Sequence, residues 1–302
     1  MYRFEPISRE KLESLPVEMA LPPVRLLCNY AEYCTEVFRG SKFGAYSVLD
    51  VQGRAIAWII ANVYNGRIDA LPDRMYGLVR PKLPTPLDVD LLYRGLRTFA
   101  GGTFRVHLPP AELSGPYVAG DKNKLARYVA HDTFVLRART EEEAWAKVER
   151  VGRQGVKKAE KEGVEVDVSA DPMTLIRYLS LNVAKSSRVG SPPFNRSILD
   201  RLQKLFGPRL QVALARIGKE AVAAVLFVMD GPYAMLIDNA SKPEFWHLNP
   251  NNLAVWSAIK TCITQGVTVV DYGFSDKGDE GAARFKTHMG AEKLVTYMTT
   301  AN

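Results

Sequence analysis

The chain has 302 residues, 47% of them hydrophobic and 24% charged, and a formal net charge of +7. This composition excludes a disordered or fibrous chain and suits one large or two medium globular domains. The positive balance favours an acidic partner (a nucleotide, CoA, RNA or an anionic surface) without choosing among them.

In chain order, the N-terminal "MYRFEPISREKLESLP" carries no apolar signal core, and the longest apolar run, near residues 55–63, is too short to span a bilayer. A cytoplasmic protein is expected. Residues 45–63 read as two apolar strands around a polar turn with Gly53, a hairpin signature. "RMYGLV" (74–79) follows as a further strand, then a helix over 87–99 and the strand "TFRVHLP". Residues 211–229 form a second hairpin pattern around Gly218. The strand "YAMLIDNA", a helix over 253–265 and the strand "VTVVDYGF" follow it. Strand, turn, strand, strand, helix, strand is thus written twice. Two divergent copies of one α/β unit are expected, divided as 1–134 and 135–302.

Between the two patterns lies "TEEEAWAKVERVGRQGVKKAEKEGVEV", read as one helix over 140–163. Thr140 with Glu143 predicts a capping box, and Gly163 a left-handed stop. Trp145, Val148, Val151, Val156 and Ala159 fall on one side, where Gly152 and Gly155 also project. Lys147, Arg150, Arg153, Lys157, Lys158 and Lys161 fall on the other. The glycines predict close approach of another backbone, taken to be the second-half sheet. The basic face is either a solvated surface or a platform for phosphate.

Cys28, Cys34 and Cys262 have no metal-ligand spacing, and His107, His131, His247 and His288 are scattered. No metal site is expected, and no GxSxG elbow supports a serine nucleophile.

The C-terminal segment "PNNLAVWSAIKTCITQGVTVVDYGFSDKGDEGAARFKTHMGAE" combines an L-x-W helix, a strand ending D-x-G, and F-K followed by Gly290. With the "VKKA" run before "EGV" and "SPPF" at 191–194, it resembles the FemAB-like branch of the GNAT superfamily. The resemblance covers residues 140–302; the first half matches through its hairpin rhythm and "YGLV". It implies an α/β (α+β) fold of two tandem GNAT-like domains, each a mixed, mostly antiparallel sheet flanked by helices. It also implies amide formation: an aminoacyl group from aminoacyl-tRNA, or an acyl group from acyl-CoA, moves to an amine, with no cofactor. A non-catalytic GNAT-like module that binds RNA or an anion is the alternative. The chain is short for the peptidoglycan-building members, which places peptidoglycan as acceptor in question.

By that resemblance, Lys286 of the F-K motif stabilises the oxyanion and the phosphate-bearing end of the donor, with Phe285 beside it; otherwise Lys286 is a surface lysine. Asp271 at a strand mouth orients the amine or bonds Lys286, or it simply forms the turn before Gly273. Tyr272 carries a proton to substrate or is a strand aromatic. Asp276 and Glu280 read as solvated loop. Neither "WHLNPNNL" nor "PKLPTPLD" is the glycine-rich loop that holds CoA pyrophosphate. Asn249, Asn251 and Asn252 are then expected to cap the helix over 253–265 and to hold one donor phosphate, flanked by His247 and Trp246, or to form an exposed loop. Lys157, Lys158 and Arg153 on the basic helix complete the expected donor-binding set, with tRNA favoured over CoA.

Overall fold

The computed structural model describes every residue except 17, 39, 71–74, 83–85, 102, 119–127, 276–277 and 302. The expected "PKLPTPLD" segment and Asp276 therefore lie partly or wholly outside the described residues. Two compact units are resolved: Met1–Thr133 with Leu294–Asn302, and Phe134–Lys293. The expected division at 134/135 differs at the C-terminus, because the last strand returns to the first unit, where it pairs with a strand of that unit.

The first unit runs β1 (Arg3–Pro6), α1 (Arg9–Glu13), α2 (Val24–Val37), β2 (Lys42–Leu49), β3 (Ala55–Tyr64), β4 (Arg67–Ala70), β5 (Leu78–Val79), β6 (Leu87–Asp88), α3 (Val89–Phe99), β7 (Phe104–Leu108), α4 (Ala111–Ser114), β8 (Tyr117–Val118) and the start of β9 (Tyr128–Arg137). Its sheet order is β1-β2-β3-β4-β7, with the returning tail strand on β7. The β2–β3 hairpin turns where Asp50 accepts the Gln52 and Arg54 amides, and Gly53 takes φ 80°. Asn65 and Gly66, both at positive φ, make the tight turn into β4. Among the described residues of the expected strand "RMYGLV", Leu78 and Val79 form the short strand β5 against β3; β4 is the strand that runs parallel to β7. Asp88 caps α3 through the Asp90 and Leu91 amides.

The second unit continues with α5 (Glu141–Lys147), α6 (Arg150–Lys161), β10 (Glu165–Ser169), α7 (Pro172–Val189), α8 (Arg196–Phe206), β11 (Leu210–Ile217), β12 (Glu220–Asp230), β13 (Tyr233–Ser241), α9 (Pro250–Thr264), β14 (Val269–Phe274), α10 (Glu280–His288) and the first residues of β15 (Glu292–Ala301). Its strands lie in the order β10-β11-β12-β13-β14, antiparallel except for β13 beside β14. Alternate residues of β12 and β13 (Val225, Phe227, Ala234, Leu236) meet Val255, Ile259 and Cys262 of α9 in the core. Cys28 and Cys262 are buried thiols whose pKa burial pushes up to about 12, so neither is a nucleophile at neutral pH.

The single helix expected over 140–163 is two helices. Val148 and Glu149 are extended, and the Glu149 amide donates to the His288 carbonyl at 3.0 Å. No proline or glycine marks this break; the corner after α10 imposes it. One consequence is that Val151, expected inside, is 55% exposed. The Thr140 hydroxyl accepts the Glu143 amide as expected, while the Glu143 carboxylate reaches the Arg139 amide, one residue before the cap. Gly163 closes α6 at φ 76°.

Candidate active site

The second unit places its candidate site where two parallel strands part. β13 and β14 pair at three positions, Tyr233 with Val269, Ala234 with Val270, and Met235 with Asp271. Beyond Met235, β13 runs on for residues 236–241 as the partner of β12 on its other side. The β12–β13 register shifts there, so Ile237 is an extra residue between Leu236, opposite Phe227, and Asp238, opposite Leu226. Such bulges re-aim a side chain.

The re-aimed side chain is Asp238, a buried carboxylate. It accepts from the Tyr178 hydroxyl at 2.8 Å, Asn182 Nδ2 at 2.9 Å and Lys185 Nζ at 2.5 Å. Tyr178, Asn182 and Lys185 recur at i, i+4 and i+7 and so share one face of α7. A carboxylate offers about four acceptor positions, so these three donors leave room for one more. Reading by strand alternation gives "YAMLIDNA" no reason to single this aspartate out, because the bulge that turns it toward α7 carries no glycine or proline.

Asp271 and Lys286 both stand at the end of β14, but they do not meet. Asp271 is 1% exposed and accepts from the Tyr233 hydroxyl and the Gly273 amide, each at 2.6 Å. Lys286 projects from α10 and donates to the Gly273 carbonyl at 3.0 Å and the Phe274 carbonyl at 2.6 Å, with its ammonium 5.2 Å from the Phe134 ring. Phe134 belongs to the α9-side core together with Val270 and Tyr272, whereas Asp271 alternates to the opposite face. The expected Asp271–Lys286 hydrogen bond is thus replaced by two separate anchors on one strand end. Lys286 is half-buried rather than a freely solvated surface lysine.

The other expected residues take structural work. The Tyr272 hydroxyl donates to the Met289 carbonyl at 2.9 Å, and burial raises its pKa, so it is a core aromatic and not a proton carrier. Phe285 packs on the core from α10. No side chain caps α9: Asn249 takes φ 55°, Asn251 Nδ2 donates to the Ser241 hydroxyl at 3.0 Å, and Asn252 Nδ2 turns to the Met289 sulfur at 3.5 Å. Asn252 also lies against Gly155, where a Cβ would come within 2.7 Å of it. The helix glycines therefore seat α6 on α9 and on the His288 carbonyl, not on the sheet as expected. Trp246 shares the Ser241 hydroxyl at 2.8 Å and carries the Arg188 guanidinium 5.2 Å over its ring; His247 is exposed beside it. Arg153 spends its guanidinium on the Val148 and Trp145 carbonyls at the end of α5. Lys157 and Lys158 remain exposed.

Among the described residues no group of three His, Cys, Asp or Glu side chains gathers as a metal site, and no helix is long and apolar enough to cross a membrane.

Comparison with known proteins matches this geometry. Residues 146–287 match the family model of an acetyltransferase (GNAT) domain. The crystal structure of FemX superposes with TM-score 0.63 at 13% identity, covering 98% of this chain and 96% of that one. A tandem GNAT protein from the clavulanic acid biosynthesis pathway gives 0.54 at 12% identity, covering 100% and 99%. The C-terminal domain of a putative lysylphosphatidylglycerol synthetase from Agrobacterium fabrum gives 0.57 at 12% identity, covering 85% and 84%. No protein of curated function matches the sequence. Residues 146–287, which hold the parted strands, thus match an acetyltransferase (GNAT) domain, and the chain shares its fold with FemX and with the tandem GNAT protein.

Proposed function

We propose that the protein forms an amide by moving an aminoacyl group from aminoacyl-tRNA to an amine acceptor, in the cytoplasm where charged tRNA resides. The observation that carries this is the parting of β13 and β14 with Asp238 on one arm and Lys286 at the end of the other. An activated carbonyl placed between the arms would meet the Lys286 ammonium, a positive charge that stabilises a developing oxyanion. Asp238 has one acceptor position left for an amine N–H, which orients the nitrogen for attack. In the step itself the amine nitrogen bonds to the carbonyl carbon, the ester C–O bond breaks, and the amine's proton ends on the leaving oxygen.

Two features favour tRNA over acyl-CoA as donor. The segment leading into α9 contains no glycine, so it lacks the loop expected to cradle a CoA pyrophosphate. Arg150, Lys157, Lys158 and Lys161 of α6 are exposed and form no ion pair among the described residues, leaving a positive face for a phosphate backbone.

The test is transfer from radiolabelled aminoacyl-tRNA and from a panel of acyl-CoAs to a set of amines, read as amide product by mass spectrometry. Product from aminoacyl-tRNA that falls at least about a hundredfold in Lys286→Ala supports the reading. Product from acyl-CoA alone reassigns the donor. Salt-sensitive tRNA binding with no product from any donor would make the chain a non-catalytic RNA-binding module.

A further inference from the structure

The break between α5 and α6 opens a wedge that α9 passes beneath. Within the second unit this leaves a groove of about 300 Å³. Its floor is Val156 and Trp256, and its wall is the half-buried indole of Trp145, whose centroid lies 4.6 Å from that of Trp256. Lys157 and Lys260 stand on the rim with Glu160, and Glu141 and Glu142 complete it on the α5 side. A groove of this volume has room for a single ring system.

The rim charges form no ion pair with one another among the described residues, although both signs are present, so they are available to a ligand. Lys157 is also continuous with the exposed, unpartnered Arg150, Lys158 and Lys161 along α6. An aromatic wall beside a line of cations is the arrangement that holds single-stranded nucleic acid: a base stacks on the ring while the backbone follows the charge. Double-stranded RNA keeps its bases stacked inside and gains nothing from such a wall.

We propose that this groove takes one unstacked base of a single-stranded RNA segment whose phosphates run along α6. This deepens the aminoacyl-tRNA reading given above and rests on it for the identity of the RNA. The three glutamates repel phosphate from the groove, so the backbone stays on the α6 side and only the base enters. Their carboxylates accept from exocyclic amino groups, which adenine and cytosine carry and uracil lacks. The groove therefore prefers amino-bearing bases.

The experiment is fluorescence anisotropy of the purified full chain with short labelled oligo(A), oligo(C) and oligo(U) at several salt concentrations. Oligo(A) and oligo(C) bind more tightly than oligo(U). Trp145→Ala loses about tenfold for the first two and erases the preference; Trp145→Phe, which keeps the apolar wall, retains the fold and loses less. Lys157→Gln with Lys158→Gln weakens all three alike and lowers the slope of log K against log salt by about 1.4. Unchanged affinity in both Trp145 variants overturns the proposal, as does equal competition by double-stranded RNA or by anionic phosphatidylglycerol vesicles. Oligonucleotide binding without aminoacyl transfer removes the transferase reading and leaves the groove. Transfer from tRNA with no oligonucleotide binding removes the groove and leaves the transferase.

Discussion

Each unit sets a strand, a helix and a parallel strand in the same order, and they differ at the place where the two parallel strands should part. In the first unit β4 pairs with β7 over three residues and ends at Ala70. Gly77 lies between β3 and β7, its carbonyl accepting the Ile60 amide and its own amide donating to the His107 carbonyl, both at 2.9 Å. Met75, Tyr76, Leu78 and Val79 around it are all buried. In the second unit β13 instead runs on past its three pairs with β14, bonded to β12 alone in the ladder, with Asp238 turned out by a bulge. The lesson is that a shared topology supplies only the opportunity for a site. One copy closes the gap with its own backbone, and the other leaves polar groups at its arms.

The largest expected effect tests that contrast on a pair of aspartates. Asp69 on β4 and Asp238 on β13 are both salt-bridged, to Arg105 at 2.7 Å and Lys185 at 2.5 Å. Asp238→Ala is expected to lower kcat/KM for amide formation by about 10²–10⁴, whereas Asp69→Ala leaves kcat/KM within twofold of wild type, roughly, since its part-buried, bidentate pair with Arg105 belongs to the unit that closes its gap. Steady-state kinetics on both variants decide it; equal losses would erase the distinction between the units.

Next come two glycines against which backbone passes. A Cβ on Gly77 would overlap the Ala70 carbonyl and side chain, and one on Gly152 would overlap the His288 carbonyl. Neither obstacle can rotate away. Each alanine variant is expected to lose about 3 kcal/mol of stability, but in different places. Hydrogen exchange should rise in β3, β5 and β7 for Gly77→Ala, and in α5, α6 and the end of α10 for Gly152→Ala.

Much of this architecture is legible from sequence because its causes are local. Gly53 and Gly218 mark the two hairpins, Thr140 and Gly163 the outer ends of the α5–α6 pair, and the apolar runs the strands. What is not legible has tertiary causes. The break at Val148 and Glu149 follows from the His288 carbonyl, 139 residues further along the chain from Glu149. The bulge at Ile237 follows from the pairing of β13 with β12. The "RMYGLV" run reads as a strand of its own, yet most of it fills a gap left by β4. At the candidate site, Lys286 and Asp271 were readable as residues at a strand end, but their separation onto opposite faces depends on where α10 lands. Asp238 offered no local signal at all.

A smaller effect concerns pH. His107 in the first unit is 5% exposed, and burial, followed by the positive charge of His131 and Arg105, lowers its pKa from 6.5 to about 3. The unfolded chain therefore binds a proton that the folded chain refuses between those values. The stability that His107 permits is complete above pH 6.5 and falls by about 1.4 kcal/mol per pH unit toward pH 3. His247 and His288 of the second unit are exposed and half-buried. Acid unfolding followed by hydrogen exchange should open the first unit first, and His107→Gln should flatten its pH slope. A second unit that opens first, or an unchanged slope, would refute this ordering.

The smallest effect separates two glycines one turn apart on α6. Gly155 is as buried as Gly152, and a sequence pattern treats them alike. Their neighbours differ in kind. A Cβ on Gly155 would approach the Asn252 side chain, 2.7 Å from Nδ2 and 2.8 Å from Cγ. That side chain holds only a long contact to the Met289 sulfur at 3.5 Å, so it is able to rotate with little loss. Alanine gains about 1 kcal/mol over glycine in a helix interior, which offsets a repacking cost of about 1 kcal/mol. Gly155→Ala is thus expected to change stability by less than about 0.5 kcal/mol, against the large loss at Gly152. Urea denaturation of the two variants measures both. Equal destabilisation would mean that α6 is held on α9 as rigidly as on the His288 corner, and that Asn252 is fixed as part of the helix seat.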